Sequence, residues 1–169
     1  MYREHLRELI QFVLMKYDLY SRDAEELLML TAACESNLGH YFKQLNNGPA
    51  LGIFQCEPNT LEWASVELEK RALGKIRNKK LYSVRDRLME VQSMACYGRY
   101  AKHCELELLG SIESQILYAR LIYLFKTPKA IPPHDDIELL ARYWKRYWNS
   151  ELGAGTIEGA IEKYNKYVK

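Results

Sequence analysis

The segment Thr31–Pro58 reads Thr-Ala-Ala-Cys-Glu-Ser-Asn-Leu-Gly over 31–39, runs on from His40 to Ala50, and closes with Leu-Gly-Ile-Phe-Gln-Cys-Glu-Pro over 51–58. It begins as the end of a helical run. Leu27, Leu30, Thr31 and Cys34 recur at steps of three and four, the spacing that gathers side chains on one face of a helix. Asn37 to Gly39 supply a stop. Asn46-Asn47-Gly48-Pro49 and Gly52 then form the clearest turn cluster in the chain. A loop is expected over 39–57, with a short β-hairpin as an option, and Pro58 suits the first turn of a further helix over 58–73.

Working outward, the same periodicity recurs on both sides. Leu6, Leu9, Ile10, Val13, Leu14 and Tyr17 place a first helix over 3–18. Asp23 with Glu26 has capping-box spacing and would open the second. Ser83 with Asp86 reads as another start, continued by Val84, Leu88, Val91 and Ala95. Ile112, Ile116, Ala119 and Tyr123 mark the most apolar helix, over 111–126, and imply a central position. Asp135 and Glu138 repeat the capping-box spacing ahead of Ile137, Leu140, Ala141, Trp144 and Trp148, and Thr156 can cap a last helix carrying Ile157, Ile161, Tyr164 and Val168. The expected fold is all-α, with one domain over 1–169.

Composition sets the outer limits. The 169 residues (19.9 kDa) suffice for one well-buried core and are too few to favour two domains. The net charge of +2 is too small to argue for nucleic acid, though mild basicity suits an anionic polymer. The basic residues Lys75, Arg77, Lys79, Lys80, Arg85 and Arg87 read as a solvated face. No run approaches the roughly 18 apolar residues of a spanning helix, so no membrane insertion is expected. Met1 to Glu8 alternate charged and apolar residues and lack the apolar stretch of a signal peptide, which places synthesis in the cytoplasm. Cys34, Cys56, Cys96 and Cys104 lack zinc-site spacing and read as reduced, buried thiols. A Cys34 nucleophile served by His40 or His103 is disfavoured, because no third group orients the pair. Asp135 is absorbed by capping, so His134-Asp135-Asp136 is not read as a metal site; no metal and no cofactor are expected.

Chemistry concentrates at Glu35. A general acid must stay protonated near working pH. Glu35 follows an apolar run, and burial disfavours its charged form. It also lies in the last turn of its helix, where the negative end of the macrodipole opposes a second negative charge. Downstream, Gly52 permits a positive backbone dihedral and a close approach, and the amide of Gln55 both donates and accepts.

These residues resemble the Glu-Ser and Gly-Leu-Met-Gln motifs of soluble lytic transglycosylases and their lysozyme-fold relatives. Glu35 and Ser36 fall on the first; Gly52, Ile53, Phe54 and Gln55 fall on the second. The resemblance implies that Glu35 is the acid/base, that Ser36 is a neighbouring hydrogen-bonding group, and that Gln55 faces the glycan groove. The family's Ala-Tyr-Asn-Ala-Gly segment finds its nearest counterpart in 140–149, with Tyr143 as the stand-in for the tyrosine and Tyr147 as the second choice. Trp-Lys-Arg-Tyr-Trp-Asn over 144–149, ahead of a glycine-rich turn and a short final helix, looks like phage-encoded wall-degrading proteins.

The implied activity is cleavage of the β-1,4 bond between N-acetylmuramic acid and N-acetylglucosamine, with peptidoglycan strands as partner and 1,6-anhydromuramyl products. Glu57 and Glu62 lie near enough in sequence to be a second carboxylate but read as solvent or capping residues, which tips the expectation from a hydrolytic lysozyme toward the lyase. A monomer is expected, acting on the wall after holin-dependent release or delivery on a virion. The competing reading is a noncatalytic peptidoglycan-binding or virion structural module.

Overall fold

The structure is a computed structural model that describes residues 2–73, 78–95, 109–127, 129–150 and 153–169. The readings made for Lys75, Arg77, Cys96, His103 and Cys104, and for the side chains of Val91 and Ala95, lie outside the described residues.

The described chain is all-α. Seven α-helices follow one another: α1 (Arg3–Lys16), α2 (Arg22–Ser36), α3 (Pro58–Ala72), α4 (Lys79–Ala95), α5 (Ile112–Lys126), α6 (Ile137–Trp144) and α7 (Ile157–Tyr167). A π-helical turn, Lys145–Asn149, continues α6 directly. The 39–57 loop holds a short 3-10 turn at Leu45–Asn47 and two isolated antiparallel bridges, Lys43 to Leu51 and Leu51 to Cys56. The optional hairpin therefore does not develop into strands. None of the described helices is long and apolar enough to cross a membrane.

One core cluster draws on every helix. The helix over 112–126 is central, as its apolar run implies: Ile116 to Ala119 and Leu121 to Tyr123 are buried without a break, and α1, α2 and α3 pack on it. On α1 the buried residues are Leu6, Ile10, Val13 and Leu14, the face given by the periodicity. The second helix is buried almost all round, because α1, α5, α6 and α7 all pack against it.

The caps of α2 and α6 differ from the expected ones by one or two residues. Ser21, not Asp23, caps α2 by accepting from the Ala24 N–H at 3.0 Å. Asp23 instead accepts from the backbone N–H of His134 (2.8 Å), which fastens the loop before α6 onto α2. Asp136, not Asp135, caps α6. Ser83 is no helix start: α4 begins at Lys79, with the Asn78 carboxamide accepting from the N–H groups of Lys80 and Leu81. Thr156 caps α7 as expected, through the Gly159 N–H. The basic face is largely neutralised, with Lys80 paired to Asp18, Arg85 to Glu69 and Asp86, and Arg87 to Glu113.

Candidate active site

The second helix ends at a sharp left-handed turn. Asn37, Leu38 and Gly39 all take positive φ (52°, 58° and 75°), and the N–H groups of Asn37 and Leu38 return to the Ala32 carbonyl. Gly39 is needed here twice over, because a side chain would face the left-handed penalty and would press on Ile53 Cγ1 at 3.2 Å.

Against this helix end lies the turn Leu51–Cys56, closed by reciprocal backbone bonds of 2.9 Å between Leu51 and Cys56. Gly52 turns the chain at φ 78°, and its N–H donates to the Phe42 carbonyl at 2.8 Å. The backbone of Ile53 is held on both sides: Ser36 Oγ donates to its carbonyl (2.6 Å), and its N–H donates to Gln115 Oε1 (2.7 Å). The Glu-Ser and Gly-Ile-Phe-Gln segments are therefore one unit, joined through Ser36.

This joint corrects two of the expected ligand contacts. Ser36 is fully buried, with its hydroxyl donating to Ile53 and accepting from the Gly39 N–H at 2.7 Å, so it positions the turn and meets no ligand. Gly52 is also buried, and what its glycine character visibly serves is the positive φ of the turn. Gln55 does line the cavity beside Glu35. Its Nε2 donates to the Gly52 carbonyl at 2.8 Å, while its Oε1 is buried without a protein partner. The residue adopts φ 47°, a conformation that L side chains occupy at a cost.

On α6 and the π turn the aromatic side chains that border Glu35 and the cavity are Trp144 and Trp148. Tyr143 is buried in the core and donates to the Lys129 carbonyl at 3.2 Å; its ring packs on Tyr123 and Tyr147, at centroid distances of 5.8 and 4.7 Å. Neither Tyr143 nor Tyr147 lines the cavity that holds Gln55. Trp144 is the residue that reaches the acid, its indole N–H donating to Glu35 Oε1 at 3.1 Å. Trp148 lines the cavity with its ring against Tyr123 at 5.2 Å. Tyr123 is in turn fixed to Thr31 by a 2.8 Å hydroxyl–hydroxyl bond. The indole of Trp144 is wedged in place by Gly155, where an added Cβ would stand 2.5 Å from its Cη2.

Glu35 is the next-to-last residue of α2 and is partly buried. Burial pushes its carboxyl up from 4.5 to about 7, against the opposing pull of the Trp144 N–H and the Lys163 charge. Its own backbone carbonyl accepts from the Tyr41 hydroxyl at 2.7 Å, so the helix end is satisfied while the carboxyl is left with one donor. The adjoining cavity, about 510 Å³, also meets Gln44, Thr60, Lys126, Asn149 and Glu57. Glu57 occupies the N-cap position of α3 but makes no capping bond and is exposed, so of the solvent and capping roles expected it takes the solvent one. Glu62 is exposed on α3, consistent with a solvent role.

The thiols are unsuited to nucleophilic work. Burial pushes both Cys34 and Cys56 up to about 12. No group of three or more His, Cys, Asp or Glu with metal-holding geometry occurs among the described residues. His134, the centre of the sequence-level metal question, lies 3.2 Å from Asp23 Oδ1.

Trp144, Trp148, Asn149 and Tyr41 were not singled out as site residues from the sequence, and only the aromatic string 143–148 carried a hint of two of them. A scan against protein-family models finds no match for this chain, and searches of curated proteins and of solved structures find none either.

Proposed function

We propose that the protein cleaves peptidoglycan glycan strands, with Glu35 as the general acid/base. The observation that carries this reading is a carboxyl raised to about 7 in an open, largely polar cavity, held by one indole donor and with no other partner among the described residues. Such a group is protonated in a substantial fraction of molecules near neutral pH, as donation to a leaving glycosidic oxygen requires. The likeness of Glu35-Ser36 and Gly52–Gln55 to the transglycosylase motifs adds the substrate class. On the lyase route Glu35 protonates the leaving oxygen, then removes the proton from the muramyl C6 hydroxyl as that oxygen closes the 1,6-anhydro ring. One carboxylate serves both steps, and Trp144 holds it in place.

A hydrolytic route has one observation in its favour. Glu57 is an exposed carboxylate on the wall of the same cavity, free of a capping bond, and water attack uses a second carboxylate. Mass spectrometry of muropeptides released from purified sacculi separates the two routes: anhydromuramyl ends are expected, and reducing ends would transfer the assignment to hydrolysis. Digestion by Glu35→Gln at the parent rate would overturn the reading altogether.

A further inference from the structure

Glu35 does not close off a blind pocket. A second cavity, about 390 Å³, lies against the same carboxyl, and both Glu35 and Asn149 line the two. Its walls come from the end of α2, from Trp144, and from the segment leading into α7. Ala154, Gly155, Gly159 and Ala160 keep it open by being small, and Gly155 has no room to be larger.

Its charges are simple. Among the described residues lining it, Lys163 is the only cation and Glu35 the only acid. The Lys163 ammonium is fixed by donating to the Cys34 carbonyl at 2.6 Å, which occupies one of its three N–H donors. Lys163 is half-buried, so its charge is only partly screened by water. A neutral ligand would have to displace that hydration for little return, whereas a carboxylate replaces it with a charge-assisted hydrogen bond. The adjacent Glu35, raised to about 7 by burial, opposes an incoming anion only in the fraction of molecules in which it is ionised.

We propose that this second cavity is a subsite for an acidic substituent on the sugar flanking the scissile bond, its carboxylate received by Lys163. The inference rests on the glycan-cleaving reading and narrows it. The preferred substrate is a glycan whose sugars bear carboxylate-containing side groups, such as the peptide stem of a muramyl residue, over a neutral chitin-type polymer.

Isothermal titration on the non-cleaving Glu35→Gln protein tests this with two probes, a peptide-bearing muramyl oligosaccharide and a chitin oligosaccharide of the same length. Adding Lys163→Gln should weaken binding of the acidic probe roughly tenfold and leave the neutral probe within about twofold. Lys163→Arg should retain most of the acidic affinity, and thermal melting verifies that each variant is folded. Equal loss on both probes, or no loss on the acidic one, overturns the subsite while leaving the glycan reading intact. If folded Glu35→Gln protein binds neither probe, the glycan reading falls and the subsite falls with it.

Discussion

The two ends of α2 carry buried acids in opposite circumstances. Near its start, Glu25 and Glu26 are 3% and 6% exposed, yet every carboxylate oxygen has a donor. Arg7 donates to both, Gln11 and Tyr20 donate to Glu25, and the Tyr164 hydroxyl donates to Glu26. Desolvation alone would raise Glu26, but the Arg7 and Tyr164 hydrogen bonds and the Arg7 charge outweigh it and hold the carboxyl below its usual value. The far end of the same helix reverses this. There Glu35 has a single indole donor, and burial prevails. Burial therefore does not decide the state of an acid by itself. The number and charge of its donors do.

The contrast is broken most severely at the chemistry. Glu35→Gln keeps the oxygen that accepts from Trp144 but has no proton to give, so wall-clearing activity should fall about 10²–10⁴-fold in a turbidity assay. At the other end, Arg7→Met strands two buried carboxylates. It should cost about 3 kcal/mol in denaturant unfolding at pH 7, read as a shift of the midpoint at unchanged slope.

The same Glu35→Gln change should stabilise the fold. Between pH 4.5 and about 7 the native protein holds a proton on Glu35 that the unfolded chain has released, so stability contributed through this group falls as pH rises. Removing the group should add about 2–3 kcal/mol at pH 8 and little at pH 4, read from melting curves at both. For Glu26 the sign is reversed: its contribution is present above 4.5 and is lost as pH drops through its lowered value.

Smaller changes act through Trp144. Gly155→Ala must displace the indole, and the resulting misplacement of Glu35 should reduce activity about tenfold with a modest change in melting temperature. Trp144→Phe removes the donor alone. The acid should then titrate higher, moving the alkaline limb of the rate profile to higher pH, and ¹³C NMR of the Glu35 carboxyl should report the same direction without reference to turnover.

The helices were legible because their apolar spacing is local, and the placement of Glu35 at a partly buried helix end follows from the same apolar run. The caps slipped at Ser21 and Asp136 because adjacent Ser and Asp residues compete for the same role, and backbone geometry, which spacing does not carry, decides between them. Ser36 looked like a ligand contact since nothing local reveals that its hydroxyl is spent on Ile53, 17 residues away. Arg7 and Glu26, on separate helices, offered no pattern at all. The aromatic string was hardest: Tyr143, Trp144, Tyr147 and Trp148 are near-equivalent by composition, and their division between core and cavity depends on how the helix beneath them is wound.

That winding is the π turn at Lys145–Asn149. In a uniform α-helix, residues 144 and 148 would stand one above the other on a single face. Here Trp144 borders the cavity toward α7, and Trp148 borders the one beside Gln55. One short helix and the turn that continues it thus serve two compartments on either side of a single acid.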